Sequence, residues 1–194
     1  SITADERMKE KFEEWDNKYK KKMKKGIDDD VNRMNEALAK EGFEYSIIEA
    51  YSPKRVGGMG EFMGLIPGMA LDLTENDVDG KPWDFNDAGK RRKAKRLITQ
   101  RRALLLVVSP MCAAFSRLQS MNFAKMSEED IRKVIEYGTR HLEFCMELYR
   151  IQASNGLYFL HEHPKYATSW QLDCIKGLQD LPSVDTVRGD QCQY

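Results

Sequence analysis

The chain lacks the features that accompany a structural zinc site or an oxidising compartment. Its four cysteines, Cys112, Cys145, Cys174 and Cys192, are scattered, and no two of them form a Cys-x-x-Cys pair. Structural zinc sites usually contain such pairs, so we expect no metal site. Scattered cysteines are typical of reduced thiols, which favours an intracellular protein of the cytoplasm or nucleus.

Membrane segments and an excess of charge are also missing. No apolar run approaches the ~20 residues of a membrane span, and residues 1–6 lack the apolar stretch of a secretory signal. We therefore expect no membrane association. The 31 Lys and Arg residues equal the 31 Asp and Glu residues in number, giving a net charge of zero. Any contact with nucleic acid must then come from a local basic patch.

The first part of the chain has the periodicity of helices. Apolar residues recur every three or four positions at Met8, Phe12, Trp15, Tyr19 and Met23. Gly26 separates this segment, residues 4–25, from a second predicted helix at about 29–41. We predict a helical extension over residues 1–42, whose apolar stripe offers a surface for the body of the protein, for self-association or for a partner chain.

From residue 43 onward, strand and helix patterns alternate. Strands are predicted at 43–51, 67–73, 103–108 and 157–160, with a weak final strand near 184–188. Helices are predicted at about 87–101, from Ser127 to Asn155, and at 168–179, whereas residues 57–60 are expected to form a loop. This alternation favours one α/β domain over residues 43–194, with a mostly parallel sheet and helices on both faces.

Ligands of open parallel sheets bind at the carboxyl ends of the strands. The loop after strand 103–108 contains Cys112, which could be a thiolate nucleophile or simply a small buried apolar residue. The loop after strand 157–160 contains Glu162, which could act as an acid or form a loop salt bridge. The flanking His161 and His163 have no identifiable third metal ligand.

The helix at 87–101 is rich in lysine and arginine. Its basic residues are Lys90, Arg91, Arg92, Lys93, Lys95, Arg96 and Arg101. Such a run is explained either by a solvated helix face or by a surface that binds phosphate groups.

Two motifs resemble those of a known family. Residues 110–116, Pro-Met-Cys-Ala-Ala-Phe-Ser, resemble the Pro-Pro-Cys-x-x-Phe-Ser loop of DNA cytosine-C5 methyltransferases, and residues 159–163 resemble that family's strand ending in Glu-Asn-Val. The chain is also similar to methyltransferase-like segments of retroelement polyproteins. The resemblance covers about residues 43–192 and implies a Rossmann-like methyltransferase fold that uses S-adenosylmethionine.

The resemblance also implies a role for individual residues. Cys112 would add to cytosine C6, and Glu162 would stabilise the charge that develops at N3. The cofactor would contact Glu49, Tyr51, Ser52, Asp72, Asp84, Phe85, Ser109 and Pro110. Nucleic acid, with DNA as the expected substrate, would contact Arg91, Arg92, Lys95, Ser116 and Arg117.

The chain departs from the family pattern at several points, which leaves two alternatives open. Met111 replaces a proline, the first loop lacks Phe-x-Gly-x-Gly, and a target-recognition region is absent. A catalytically degenerate fold that binds nucleic acid or serves in assembly is therefore one alternative. An amino methyltransferase is the other, because Ser109-Pro110 resembles its Ser/Asp/Asn-Pro-Pro-aromatic loop, although Cys112 in the aromatic position argues against it.

Overall fold

A computed structural model of the protein describes Lys11 and residues 28–189. Residues 28–40 are helical and are labelled α1. This helix ends at Gly42, whose φ of +79° is the left-handed conformation that glycine adopts freely. The backbone N–H of Phe43 closes the end by donating to the carbonyl of Leu38. Lys11 is helical, but the rest of the predicted helix at 4–25 and its stop at Gly26 lie outside the described residues.

The centre of the fold is a parallel sheet of four strands. The strands are β1 (Tyr45–Ala50), β2 (Pro67–Leu71), β3 (Ala103–Val108) and β4 (Tyr158–His161). Their order is β2-β1-β3-β4, and every neighbouring pair is parallel. The four strands agree with the sequence prediction. The order reverses between β1 and β3, which is the topological switch point where open α/β sheets bind ligands.

Helices lie between and after the strands, on both sides of the sheet. They are α2 (Val56–Phe62), α3 (Ala88–Arg101), α4 (Arg117–Phe123), α5 (Glu128–Ser154) and α6 (Asp173–Gln179). The connection from β1 to β2 runs in the opposite direction to the later ones, so right-handed crossovers put α2 on one face and α3 and α5 on the other. In agreement, α3 and α5 pack against each other.

The long helix α5 provides much of the core. Its start is fixed by Ser127, whose hydroxyl accepts the N–H of Asp130, as the sequence predicts. The side chains of Leu142, Met146 and Tyr149 are completely buried. They lie in one cluster with the inward residues of β1 and β3, so α5 positions the sheet from which the functional loops emerge.

Three sequence predictions are wrong. Residues 57–60 belong to α2, because a buried carboxylate caps the start of that helix. The predicted helix at 168–179 is broken at Leu172, whose extended backbone separates a 3-10 turn (Thr168–Gln171) from α6. No strand forms at 184–188 in the described part of the chain; of its residues, all but Val184 are exposed and so contribute little apolar burial.

The edge of the sheet also differs from the prediction. The sequence predicts an apolar strand like β3 at β4, but Tyr158 is 66% exposed and Leu160 is 46% exposed. Phe159 packs on Tyr149 of α5, so Tyr158 and Leu160 point to the opposite face of the sheet, where α2 packs on β1 and β2. None of the helices in the described residues combines the length and the apolar character that a membrane span requires.

Candidate functional site

The switch point is marked by a strained tyrosine. Tyr51 directly follows β1 and has a φ of +56°, in the left-handed region that bulky residues rarely adopt. Its N–H donates to the carbonyl of Leu71, at the end of β2, over 3.0 Å. Strain of this kind persists only where the surroundings fix the backbone, and it is concentrated at functional sites. The surroundings of Tyr51 are therefore the first candidate for a functional site.

The hydroxyl of Tyr51 begins a hydrogen-bond chain that runs from buried His141 to the exposed side chain of Asn86. It lies 2.7 Å from Nδ1 of His141 on α5, and Nε2 of His141 lies 3.2 Å from Oδ1 of Asn86. The amide nitrogen of Asn86 donates in turn to Asp84 and Tyr137. Burial lowers the pKa of His141, as do the nearby charges of Arg91 and Arg140.

The pattern of donors fixes the state of the imidazole. Oδ1 of Asn86 can only accept, so Nε2 of His141 carries the proton and Nδ1 accepts from the Tyr51 hydroxyl. A neutral histidine satisfies both bonds, in keeping with its lowered pKa. These hydrogen bonds thus connect the end of β1 to α5 and to the segment before α3.

A cleft opens beside these hydrogen-bonded residues, at the carboxyl ends of β1 and β2. Its lining residues are Tyr51, Leu71, Asp72, Leu73, Trp83, Asp84, Phe85, Asn86, Met111, Tyr137 and His141. Its enclosed volume is about 60 Å³, which is well below the roughly 300–1,000 Å³ of a ligand pocket, so a bound ligand would extend into the open mouth of the cleft. Four of the predicted cofactor residues, Tyr51, Asp72, Asp84 and Phe85, therefore lie around one cleft.

Asp72 and Asp84, the two carboxylates in the cleft, each accept hydrogen bonds through one oxygen only. Oδ1 of Asp72 accepts the N–H and the hydroxyl of Thr74, and Oδ1 of Asp84 accepts both nitrogens of Asn86. Within residues 28–189, the second oxygen of each carboxylate has no hydrogen-bond partner. Phe85 is buried beneath them, with its ring centroid 4.8 Å from that of Tyr51. Two free acceptors beside aromatic rings suit a planar ligand that bears hydroxyl and amino donors.

Glu49 shapes the first loop from below. Its buried carboxylate accepts the N–H groups of Arg55, Val56 and Gly57, over 3.2, 3.0 and 2.7 Å, and so caps α2. A Cβ at Gly57 would stand 3.0 Å from Oε2 of Glu49, so a larger residue would have to displace the carboxylate slightly. Ser52, which is also buried, donates to Glu49 and to the carbonyl of Pro53. The polar atoms of Glu49 and Ser52 are therefore used within the loop.

The loops of Cys112 and Glu162 begin side by side. The N–H of Ser109 donates to Ala50, the last residue of β1, and the N–H of Glu162 donates to Val108, the last residue of β3. Pro110 is buried, Cys112 is partly buried at the start of a 3-10 turn (Ala113–Phe115), and the Glu162 side chain is exposed. The predicted juxtaposition of these two loops on neighbouring strands is confirmed.

A glycine allows the Cys112 loop to approach α5. A Cβ at Gly138 would lie 2.7 Å from the Cβ of Ala114 and 2.8 Å from the ring of Phe115. Such distances are shorter than real contacts, so the turn after Cys112 packs where only glycine leaves room. The side chain of Met111, next to Cys112, is 42% exposed and reaches the cleft.

Most of the basic residues of α3 are engaged within the protein. Lys90 and Lys93 contact Asp77 over 2.7 and 2.6 Å, and Lys95 contacts Glu147 over 2.8 Å. Arg91 donates to the carbonyl oxygens of Phe85 and Asn86. In the described part of the chain, Arg92 and Arg96 remain exposed without an ion pair. The basic run therefore mainly holds α3 in place.

The other predicted nucleic-acid contacts lie at the start of α4. The hydroxyl of Ser116 accepts the N–H of Gln119 and so caps this helix. Arg117 is exposed, and its guanidinium lies over the ring of Tyr166, in the loop after β4.

Sequence reasoning missed the three residues that form hydrogen bonds with Tyr51 or with one another in the cleft, Asn86, Tyr137 and His141. Tyr137 and His141 are four residues apart on α5 and precede Cys145 by the same spacing, so they extend the inward stripe of the helix. That spacing could have indicated a buried polar group. Asn86 had no such signal.

No family model, curated protein or solved structure matches this chain. The chemistry of the cleft must therefore be inferred from its own side chains. No group of three or more His, Cys, Asp or Glu side chains in the described residues could hold a metal ion.

Proposed function

We propose that the chain is an S-adenosylmethionine-dependent methyltransferase-like domain that acts on cytosine C5 of nucleic acid, with DNA as the expected substrate. One observation carries this proposal. The cleft at the switch point, which holds two free carboxylate oxygens, is bordered by Met111, the residue next to Cys112. A cofactor site and a candidate nucleophile therefore adjoin each other.

The cleft residues fit the chemistry of the cofactor. The free oxygen of Asp72 can accept from the ribose hydroxyls, and the free oxygen of Asp84 can accept from the adenine amino group. Phe85 and Leu73 provide apolar surface for the adenine ring. When bound, S-adenosylmethionine supplies an electrophilic methyl group.

The target base would be activated by two residues of this chain. The thiolate of Cys112 would bond to cytosine C6, which shifts an electron pair toward C5. Glu162, whose carboxyl group is exposed on the neighbouring loop, would stabilise the protonated N3. After methylation, loss of the C5 proton returns the electron pair and releases the sulfur. The base must leave its stack to reach this pocket.

Calorimetric titration of the chain with S-adenosylmethionine tests the cofactor site. Replacing Asp72 by Asn should weaken binding roughly ten- to 100-fold, since a hydrogen bond to a charged group contributes ~1.5–3 kcal/mol. Asp180→Asn is the matched control, because Asp180 is exposed at the end of α6 and its side chain has no hydrogen bond in the described residues. Absence of binding heat in the unmodified chain, or equal loss in both variants, would contradict the assignment.

A non-enzymatic domain that binds nucleic acid is the second candidate. The exposed position of Met111 favours it, because this flexible residue stands where the family has a rigid proline before the cysteine. Such a domain would bind nucleic acid without forming a covalent bond through Cys112.

A further inference from the structure

An exposed aromatic ring joins the two loops that carry Cys112 and Glu162. Tyr166 is 62% exposed and lies four residues after Glu162. The guanidinium of Arg117, five residues after Cys112, lies 5.7 Å from the centre of its ring, and Nζ of Lys165 lies 4.9 Å from it. Cations from both loops therefore meet at one tyrosine.

The loop that carries this tyrosine is held in place. The hydroxyl of Thr168 donates to the carbonyl of Phe115, in the turn after Cys112. The indole N–H of Trp170 donates to the carbonyl of Pro164 over 2.8 Å. These bonds on either side of Tyr166 fix its backbone relative to the Cys112 loop, so the ring is a preorganised surface.

The cations at this ring differ from those on α3. Arg117 and Lys165 form no ion pair with any carboxylate in residues 28–189, whereas Lys90 and Lys93 are paired with Asp77. The pKa of the Tyr166 phenol is lowered, chiefly by Lys165 and further by Arg117 and Arg188. Positive charge is thus concentrated here, in a chain whose net charge is zero.

We propose that Arg117, Lys165 and Tyr166, the cation–aromatic surface, bind single-stranded nucleic acid beside the target base. The substrate class is taken from the proposed function. An exposed tyrosine ring offers a stacking partner to an unpaired base, and unpaired cations bind the adjacent phosphates. Bases of a duplex are already stacked and do not present their faces. An acidic peptide would use the charges but not the ring.

Fluorescence anisotropy of the full chain without cofactor tests this surface. The probes are a labelled thymidine oligonucleotide and an abasic strand of equal length, which has the same phosphates without bases. Tyr166→Ala should weaken binding of the thymidine strand about fivefold to 100-fold, the range for loss of one stacked base. It should leave binding of the abasic strand unchanged, and Tyr166→Phe should retain both affinities.

Two further variants separate stacking from charge and from general effects. Arg117→Gln should weaken binding of both the thymidine and the abasic strand. It should also reduce the slope of log affinity against log salt concentration by about 0.7, the value for one phosphate contact on a single strand. Tyr158→Ala should change neither affinity, because this tyrosine is similarly exposed but lies at the amino end of β4, whereas Tyr166 follows the carboxyl end.

Equal binding of the thymidine strand by the unmodified chain and by Tyr166→Ala would overturn the proposal. So would equal affinity of the unmodified chain for thymidine and abasic strands, or equally good competition by a blunt duplex or polyglutamate. These outcomes are independent of calorimetry with S-adenosylmethionine, so failure of this surface and failure of the cofactor site are distinguishable.

Discussion

At the residue scale, the loop after β4 contains an unusual pair of histidines. The rings of His161 and His163 stack with their centroids 5.2 Å apart. Nδ1 of His161 forms a hydrogen bond with the hydroxyl of Tyr149, and Nε2 of His163 forms one with the hydroxyl of Ser169, each over 2.7 Å. The remaining ring nitrogens, Nε2 of His161 and Nδ1 of His163, are buried without a hydrogen-bond partner in the described residues. Both rings are therefore best accommodated as neutral groups.

Because His161 and His163 are held neutral, we predict that the free energy of unfolding decreases in mild acid. Burial, reinforced for His161 by the proximity of His163, lowers the pKa of each histidine to about 4. The unfolded chain takes up these protons near pH 6.5, so the free energy of unfolding should fall as the pH decreases from about 6.5 to 4. Each histidine contributes at most ~1.4 kcal/mol per pH unit.

Urea unfolding between pH 7 and 5 measures this dependence, to which His141, whose pKa is also lowered by burial, adds a contribution of the same sign. The carboxylate of Asp77, whose pKa is lowered to about 2, stays ionised there. His163→Gln should flatten the pH dependence. An unchanged slope in this variant would show that His163 is not held neutral by the fold.

At the scale of elements, the site depends on how closely α5 approaches the turn after Cys112. Gly138 on α5 provides the space for Ala114 and Phe115. Glycine in a helix normally destabilises it by up to ~1 kcal/mol relative to alanine. Its presence in the middle of α5 is therefore explained by this contact rather than by the helix itself.

Replacing Gly138 by alanine should destabilise the protein, because the new Cβ would lie 2.7 Å from the Cβ of Ala114. Overpacking in a core costs roughly 1–3 kcal/mol, which exceeds the gain in helix propensity. Gly177→Ala in α6 is the matched control. A Cβ added at Gly177 would meet no atom within 4 Å, so this substitution should leave stability unchanged or raise it.

Chemical denaturation of the two variants gives the comparison. Equal stability of Gly138→Ala and Gly177→Ala would contradict the close packing of Gly138 against Ala114. Hydrogen exchange in the turn at residues 113–115 should also increase in Gly138→Ala, because the turn must move to admit the methyl group.

At the scale of the whole molecule, sheet topology determines which loops can cooperate. The reversal of strand order puts the loop after β1 between those after β2 and β3, and β4 adds its loop beside that of β3. The cleft and the cation–aromatic surface consequently occupy the same carboxyl edge. A ligand in the cleft and a nucleic-acid strand on the cation–aromatic surface could then both reach Cys112.

Much of this topology could be predicted from apolar runs. Val107 and Val108, almost fully buried, belong to such a run, and Ser127 indicated the start of α5. The glycines at 57–60 led to the wrong prediction of a loop. The helix that forms there is capped by Glu49, eight residues before Gly57, and no local sequence pattern reveals that contact.

The candidate site was predictable only in part. Cys112, Asp72 and Glu162 follow strands, and the carboxyl-end rule finds them. His141 does not follow a strand, and its hydrogen-bond partner Tyr51 is 90 residues away in the sequence. Equally, the charge pattern of α3 gave no sign that Lys90 is buried against Asp77, since that pairing depends on the folded loop before the helix.

The most direct measurement of the central claim is covalent trapping of Cys112. A single strand carrying 5-fluorocytosine is incubated with the chain and S-adenosylmethionine and resolved on a denaturing gel. Fluorine at C5 cannot leave as a cation, so the bond between the sulfur and C6 should persist. We predict an adduct that requires the cofactor, is absent in Cys112→Ala and forms more slowly in Glu162→Gln. Cofactor binding without any adduct, or an adduct that persists in Cys112→Ala, would contradict the account.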